Sequence, residues 1–329
     1  MRSSAWSSRA SSSRADDVAE LARGVRSGAG RALGRALSLV ERGDETCRLL
    51  VRELHAGAGR ARTIGVTGAP GVGKSSLLEM LGSALLGGGE SVAVLAVDPS
   101  SPFSGGAVLG DRVRMTGLTE AGGFVRSMAT RGALGGLCAA TADALVVLDA
   151  AGFGSILVET VGVGQDEVDV AGEVDTVVVV TAPGLGDDVQ AAKAGVLEVA
   201  DILVVNKADR PGADAQAALL EDMVSLRGDG GWVPPVLRTT ALTGEGLAEL
   251  RAALSRHVEY LERGGRRAEL RRRRVERRLG DLVGALLRER LRGDRAEEFA
   301  RVVASVGAGA VDPYSAARSI LAGLVKEEG

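Results

Sequence analysis

A glycine-rich turn between an apolar run and a helical pattern most constrains what this chain of 329 residues can fold into. The turn reads Gly68-Ala69-Pro70-Gly71-Val72-Gly73-Lys74-Ser75, after the run Thr63–Thr67 and before helical spacing over Ser75–Leu86. This order predicts a phosphate-binding loop, because glycine lets successive backbone N–H groups point at phosphate oxygens. We expect Lys74 to neutralise the β- and γ-phosphates, Ser75 to bind Mg²⁺, and Ser76 to complete the nucleotide-binding set.

Five further short runs share the apolar character of Thr63–Thr67, and longer helical stretches separate them. These runs are continuous rather than alternating, which is typical of strands that are covered on both faces. The sequence therefore predicts an α/β P-loop NTPase with a mostly parallel sheet between helices. The five runs are Ser91–Val97, Ser155–Glu159, Thr176–Thr181, Ile202–Val205 and Val236–Thr240.

Helical patterns on both sides of this region predict N- and C-terminal helical extensions. We expect a helical extension over 16–61, the P-loop domain over 62–262 and a helical arm over 263–329. Residues 1–15 are rich in Ser and Arg, and 1–14 hold no acidic residue, which is typical of a disordered tail or of an organellar transit peptide. The disordered tail is the preferred interpretation. Two cysteines without a disulfide pattern indicate a reducing cytoplasm, whereas a transit peptide would place the protein in the mitochondrial matrix.

The choice of base is predicted by Asn206-Lys207-Ala208-Asp209, which follows the run Ile202–Val205. A carboxylate at Asp209 can accept hydrogen bonds from N1–H and the amino group of guanine, and adenine lacks this pair of donors. Lys207 is expected to lie along the base plane, and Asn206 to connect this loop with the phosphate loop. Backbone N–H groups of the later loop are expected to contact the guanine carbonyl; the residues are Thr240, Ala241 and Leu242. GTP or GDP is therefore the predicted nucleotide.

Carboxylates at the ends of predicted strands indicate a magnesium site beside the phosphate loop. Asp98 and Glu159 end two such runs, and Asp111 lies in the loop after the first. With Ser75 they form the predicted metal-binding set, and with Lys74 the predicted catalytic set. Val163 occupies the place where other GTPases carry a glutamine that orients water. We therefore expect slow intrinsic hydrolysis, completed by a partner or by another residue such as Gln165.

Composition argues against several other classes of protein. The formal charge of −3 and the low aromatic content of 2% disfavour nucleic-acid binding. No apolar run reaches the roughly 18 residues that a membrane helix needs. Two cysteines and two histidines give no zinc or nickel pattern. Among 40 basic residues only four are lysines, and two of these, Lys74 and Lys207, fall in the phosphate loop and the guanine motif.

Several longer motifs identify a family. The chain resembles the MeaB/ArgK family of P-loop GTPases from about residue 16 to 325. The motifs that carry the resemblance are Val97–Phe103, Leu109–Met115, Arg126–Gly132, Glu159–Gln165, Gly186–Gln190, Asn206–Asp209 and Pro313–Ala317.

This resemblance implies a chaperone of a cobalamin-dependent acyl-CoA mutase, above all methylmalonyl-CoA mutase. Such proteins gate adenosylcobalamin loading and protect or reactivate the mutase, with GTP and Mg²⁺ as cofactors and a C-terminal arm that forms a homodimer. The implied switch and partner-signalling residues are Gln165, Asp187, Asp188, Gln190 and Lys193.

Two residues depart from the family pattern. Ala133 stands where a histidine is common, and Ala194 where a second lysine is common.

Two alternative functions are left open: a metal-inserting GTPase, and a transport-linked ATPase or kinase.

Overall fold

The computed structural model describes residues 4–99, 115–130, 136–160, 172–184, 198–226 and 231–325. Within these ranges lies a seven-stranded sheet in the order β3-β2-β4-β1-β5-β6-β7, in which each recorded strand pair is parallel. The chain therefore has the α/β fold with a parallel sheet that its apolar runs predict. The strands are β1 (Arg62–Thr67), β2 (Val92–Pro99), β3 (Phe124–Thr130), β4 (Ser155–Thr160), β5 (Thr176–Thr181), β6 (Ile202–Asn206) and β7 (Val236–Thr239).

Strand β3 is the one strand in these ranges that the apolar runs do not predict. Arg126 and Ser127 interrupt its apolar residues, and it lies at an edge of the sheet. Arg126 donates to Ser38 Oγ at 3.0 Å and to Glu41 Oε2 at 3.1 Å, so the N-terminal helices satisfy a charge inside the strand. A search for continuous apolar runs misses a strand whose polar residues find partners far away in sequence.

Helices cover both faces of the sheet. Helices α1, α2 and α3 pack with α6 over one face, and α4 and α8 pack over the other. The helices are α1 (Ser4–Arg26), α2 (Gly30–Arg42), α3 (Glu45–Leu54), α4 (Lys74–Gly87), α5 (Thr116–Glu120), α6 (Gly136–Ala150), α7 (Ala213–Ser225), α8 (Leu247–Glu262), α9 (Arg266–Arg292), α10 (Ala296–Gly307) and α11 (Pro313–Val325). None of the described helices is both long and apolar enough to cross a membrane.

The first helix begins at Ser4 and so includes most of the segment for which composition predicts a disordered tail. From Ser4 to Arg23 this helix contains no glycine and no proline, and its alanines and arginines favour helix. The low hydrophobicity of this segment is typical of disorder, but its local propensity is compatible with a helix.

The chain forms two compact units, 1–274 and 275–329. The N-terminal helices belong to the first unit, together with the sheet. The boundary falls inside α9, later than residue 263, where the loss of strand patterning places it. The first residues of α9 are held by the sheet: Arg267 and Arg274 both contact the buried carboxylate of Asp175. This long-range ion pairing is invisible in the sequence pattern and explains the later boundary.

Candidate functional site

The phosphate loop connects β1 to α4 at the carboxyl end of the parallel sheet. Gly68 has φ +146°, and a Cβ there would lie 2.1 Å from the Val180 carbonyl oxygen of β5. Gly73 has φ +96°, and a Cβ there would lie 2.4 Å from Asn206 Nδ2. Both positions therefore require glycine for conformation and for space, since the loop passes directly against two neighbouring strands.

Lys74 is the first residue of α4 and is 7% exposed. Its Nζ donates to the carbonyl oxygens of Gly68 at 2.8 Å and Ala69 at 3.1 Å. The ammonium group is thus held inside the curve of the loop, at the end of α4 where the helix dipole is positive. Both features favour an anion at this point.

Ser75 and Glu159 are in contact at the carboxyl end of the sheet. Ser75 Oγ donates to Glu159 Oε1 at 2.6 Å, and Glu159 is 4% exposed at the end of β4. The register Val66↔Glu159 sets this carboxylate beside the strand that leads into the phosphate loop. Two of the four residues in the predicted metal-binding set therefore lie in direct contact. A hydroxyl and a carboxylate oxygen are ligands that suit Mg²⁺.

The structure places only the backbone of a third predicted metal ligand. Asp98 lies near the end of β2, paired with Ala129, and β2 is the neighbour of β4. Carboxyl ends of parallel strands meet at one edge of the sheet, so Asp98 belongs to the same edge as Glu159. The fourth predicted ligand and the five implied switch residues lie outside the described residues: Asp111, Gln165, Asp187, Asp188, Gln190 and Lys193.

Asn206 joins the phosphate loop to the predicted base-recognition loop. Its side chain is 1% exposed at the end of β6. Nδ2 donates to the Val72 carbonyl at 2.8 Å, while Oδ1 accepts from Thr239 Oγ1 at 3.2 Å and from the Ala241 N–H at 3.1 Å. The structure thus contains the connection between the two loops that the sequence motif predicts.

Lys207 and Asp209 follow Asn206 in the order that the motif requires. Lys207 has φ +57°, and its Nζ donates to the Gly71 carbonyl at 2.5 Å, so its stem crosses toward the phosphate loop. Asp209 is exposed and has no hydrogen bond or ion pair recorded within the described part of the chain. The exposed carboxylate of Asp209, two residues after Lys207, is therefore accessible to a guanine base that binds from solvent.

The second base-recognition loop differs in one detail from its predicted role. The Ala241 N–H, which we assigned to the guanine carbonyl, donates to Asn206 Oδ1. Contact with guanine would require this N–H to change partner, so its role stays a prediction. Thr240 is buried and pairs with Glu245, whereas Leu242 is 91% exposed at the tip. Thr239, outside the predicted set, supports Asn206 through its hydroxyl, and its place beside Thr240 is the one signal for it.

A second polar network lies at the amino end of the sheet, away from the phosphate loop. His257 is 2% exposed, with Nδ1 at 2.9 Å from Thr176 Oγ1 and Nε2 at 3.3 Å from Asp201 Oδ1. The indole of Trp232 lies against the imidazole, with ring centroids 4.8 Å apart. The sequence gives no sign of this cluster, because its members are far apart along the chain.

The sequence of this chain is similar to those of several known proteins. Residues 33–296 match the family profile described as methylmalonyl Co-A mutase-associated GTPase MeaB. A Pyrococcus abyssi protein with a GTPase name is 46% identical over 314 residues, which cover 94% of this chain and 97% of that protein. GTPase ArgK of Escherichia coli is 37% identical over 265 residues, which cover 77% of this chain and 80% of ArgK.

A solved structure shares the whole fold. The crystal structure titled LAO/AO transport system kinase superposes with a TM-score of 0.69 at 29% identity, over 93% of this chain and 97% of that one. The family match covers most of the chain and includes both the phosphate loop and the guanine motif. The chain belongs to the MeaB family of methylmalonyl-CoA mutase-associated GTPases.

Proposed function

We propose that this protein is a GTP-dependent chaperone of a cobalamin-dependent acyl-CoA mutase, with methylmalonyl-CoA mutase as the first candidate client. GTP binding and hydrolysis would gate adenosylcobalamin loading and would protect or reactivate the mutase. The family membership supports a GTPase, and the association of this family with methylmalonyl-CoA mutase supports the client. The observation that carries the nucleotide site is the buried Asn206, which holds the phosphate and base loops in one unit.

We assign nucleotide binding to the phosphate loop and to the two loops that Asn206 connects to it. Backbone N–H groups within 68–76, where Pro70 has none, and the ammonium of Lys74 would bind the phosphates of GTP or GDP. Asp209 would accept the paired donors of guanine, and Lys207 would lie along the base. Thr240, Ala241 and Leu242 complete the proposed base site.

Mg²⁺ is the proposed metal, and the chemistry of the donors fits it. The Ser75 hydroxyl and the buried Glu159 carboxylate, which are in contact, would hold Mg²⁺ beside the phosphate loop. Asp98 and Asp111 are proposed to complete the coordination directly or through water. The metal would neutralise the charge that develops on the phosphates, while Lys74 holds the transferred group in place.

The proposed intrinsic rate is low, because Val163 cannot orient water. Gln165, Asp187, Asp188, Gln190 and Lys193 are proposed to report the nucleotide state to the mutase. Binding of the client to these residues is the proposed route by which hydrolysis is accelerated. Ala133 is proposed to loosen a switch contact and Ala194 to weaken this acceleration, and neither is proposed to affect nucleotide binding.

A homodimer is the proposed assembly, formed through the C-terminal unit. In α9, Val275, Leu279, Val283 and Leu286 are between 49% and 63% exposed. They recur at spacings of three and four, so they form one apolar stripe on the helix. Light scattering of the purified protein should give the mass of a dimer, twice the chain mass of 33.6 kDa. The double variant Leu279→Glu, Leu286→Glu should give the mass of a monomer.

The proposed compartment is the cytoplasm, with the mitochondrial matrix as the alternative if the Ser/Arg-rich N-terminus is a targeting segment. No nucleic-acid or membrane partner is proposed. No observation in the described residues favours metal insertion or a kinase over the chaperone role.

One experiment tests the partner separately from the nucleotide. Purified protein loaded with a non-hydrolysable GTP analogue, GDP or an ATP analogue is mixed with purified methylmalonyl-CoA mutase, and the complex is measured by analytical ultracentrifugation. We expect a complex that depends on the guanine nucleotide, and GTP hydrolysis that rises on mixing. Absence of both effects with isobutyryl- and ethylmalonyl-CoA mutases as well would overturn the partner while leaving the GTPase intact.

A further inference from the structure

Two buried threonines end the neighbouring strands β1 and β4 where the phosphate loop begins. Thr67 ends β1 directly before Gly68, and Thr160 ends β4 directly after Glu159. Their exposed fractions are 2% and 4%. Within the described part of the chain, neither Oγ1 has a hydrogen-bond partner. Buried polar groups without a partner are rare in folded proteins, so this pair requires an explanation.

The register of the sheet makes the two residues neighbours. Val66 is paired with Glu159 on the parallel strands β1 and β4. One residue further along the same register, Thr67 lies beside Thr160. Side chains alternate between faces along a strand. Ile156 and Val158 pack in the core beneath α6, so Thr160 lies on that face, opposite to Glu159.

The position explains what such a pair can do. Glu159 must hold its carboxylate at Ser75 Oγ, and the recorded pairing of β1 with β4 ends at this carboxylate. Thr67 still pairs with Val179 of β5 and the loop starts at Gly68, so in the described residues no backbone pair beyond Val66 and Glu159 joins β1 to β4. A polar bridge between the next two side chains would replace such a pair.

We propose that Thr67 and Thr160 share one buried water, which bridges the ends of β1 and β4 and makes both threonines positioning residues for Glu159. A water suits the site because it can donate to one hydroxyl and accept from the other, and buried waters typically satisfy such groups. The link to Glu159 rests on the proposed role of Glu159 as a magnesium ligand.

The bridge itself is tested by thermal unfolding of the nucleotide-free, magnesium-free protein. Thr67→Val, Thr160→Val and the double variant keep the side-chain shape and remove the hydroxyls. We expect each single variant to lower Tm by about 2 to 4 °C, and the double variant to lower it no further than the larger single effect. Additive losses, or a Tm that rises in either single variant, would overturn the shared water.

The positioning role is tested by the Mg²⁺ concentration that half-saturates GTP hydrolysis. We expect Thr67→Val and Thr160→Val to raise it several-fold, and Thr160→Ser to restore the wild-type value. Thr63→Val is the matched control, since Thr63 lies on the same face of β1 and its Oγ1 accepts from the Asp175 N–H at 2.8 Å. It should lower Tm without a change in Mg²⁺ dependence.

An equal Mg²⁺ dependence in all of these variants would overturn the positioning role. If the wild-type protein needs no Mg²⁺, the metal site fails instead, and the unfolding experiment still decides on the shared water.

Discussion

The side-chain amide of Asn206 donates to the Val72 carbonyl at 2.8 Å and so fastens the guanine motif to the phosphate loop. The oxygen of the same amide accepts from Thr239 and Ala241, which carry the second base-recognition loop. One buried residue therefore connects three loops. Phosphate binding and base recognition are coupled through it, because neither loop can move without breaking one of these bonds.

Replacement of this residue should uncouple the loops. Asn206→Ala removes one donated and two accepted hydrogen bonds in a buried position. Each lost hydrogen bond that leaves a buried partner unsatisfied costs about 1–3 kcal/mol. We expect GTP and GDP affinities, measured by titration calorimetry, to fall by more than tenfold. Thr239→Val is the control that removes one of the three bonds and should have a smaller effect. Wild-type affinity in Asn206→Ala would contradict the coupling.

Asp209 should determine the choice of base without an effect on the fold. Asp209→Asn exchanges one carboxylate oxygen for an amide donor, which mismatches the amino group of guanine and matches the carbonyl of xanthine. We expect GTP affinity to fall and XTP affinity to rise, while the Tm of the nucleotide-free protein stays unchanged because Asp209 is exposed. Retention of full guanine selectivity would show that the base binds elsewhere.

Local patterns predicted the elements on which the site is built. The strand, glycine turn and helix of the phosphate loop follow from consecutive residues, and so do Asn206 and Asp209 at the end of β6. The apolar runs do not predict strand β3, because Arg126 lies inside it and has its partners Ser38 and Glu41 in helix α2. A rule based on neighbours in sequence cannot find partners that only the tertiary fold brings together.

The same limit applies inside the site. The sequence supplied Glu159 as a strand-end carboxylate, but its contact with Ser75 depends on the order β4-β1 in the sheet. The bond from Ala241 to Asn206 depends on the neighbouring order β6-β7. Strand order is set by crossover connections and by packing of whole faces, which single motifs do not encode.

Lysine should be irreplaceable at position 74 in a chain that otherwise prefers arginine. The ammonium of Lys74 is buried and held by two carbonyls of the loop, at 2.8 and 3.1 Å. A planar guanidinium is wider and cannot occupy this curve, so Lys74→Arg should abolish nucleotide binding as fully as Lys74→Ala. Titration with a fluorescent GDP analogue measures the nucleotide affinity of each variant. Lys207→Arg is the comparison, because Lys207 is less buried and should retain part of the affinity.

The buried carboxylate of Asp175 should make stability depend on acid pH. Its side chain is 5% exposed and pairs with Arg274 at 2.9 Å and Arg267 at 3.1 Å. Burial raises the pKa of Asp175, but the two guanidinium groups outweigh burial and hold that pKa below its ordinary value of 3.8. Because the pKa is lower in the folded state, the pair stabilises the fold above about pH 4, and this contribution is lost as pH falls through the folded pKa.

Asp175→Asn tests this contribution, because it leaves two buried arginines without their shared counter-charge. At pH 7 we expect a loss of about 3–5 kcal/mol in the free energy of unfolding, measured with urea. The difference from wild type should narrow as pH falls from about 4 through the lower folded pKa of Asp175, because the carboxyl binds a proton in the unfolded chain first. Glu259→Gln is the control, since Glu259 pairs with Arg263 on the surface and should change stability by less than about 1 kcal/mol at any pH. A constant difference between Asp175→Asn and wild type from pH 7 to pH 2 would show that the charge of Asp175 is not what anchors α9.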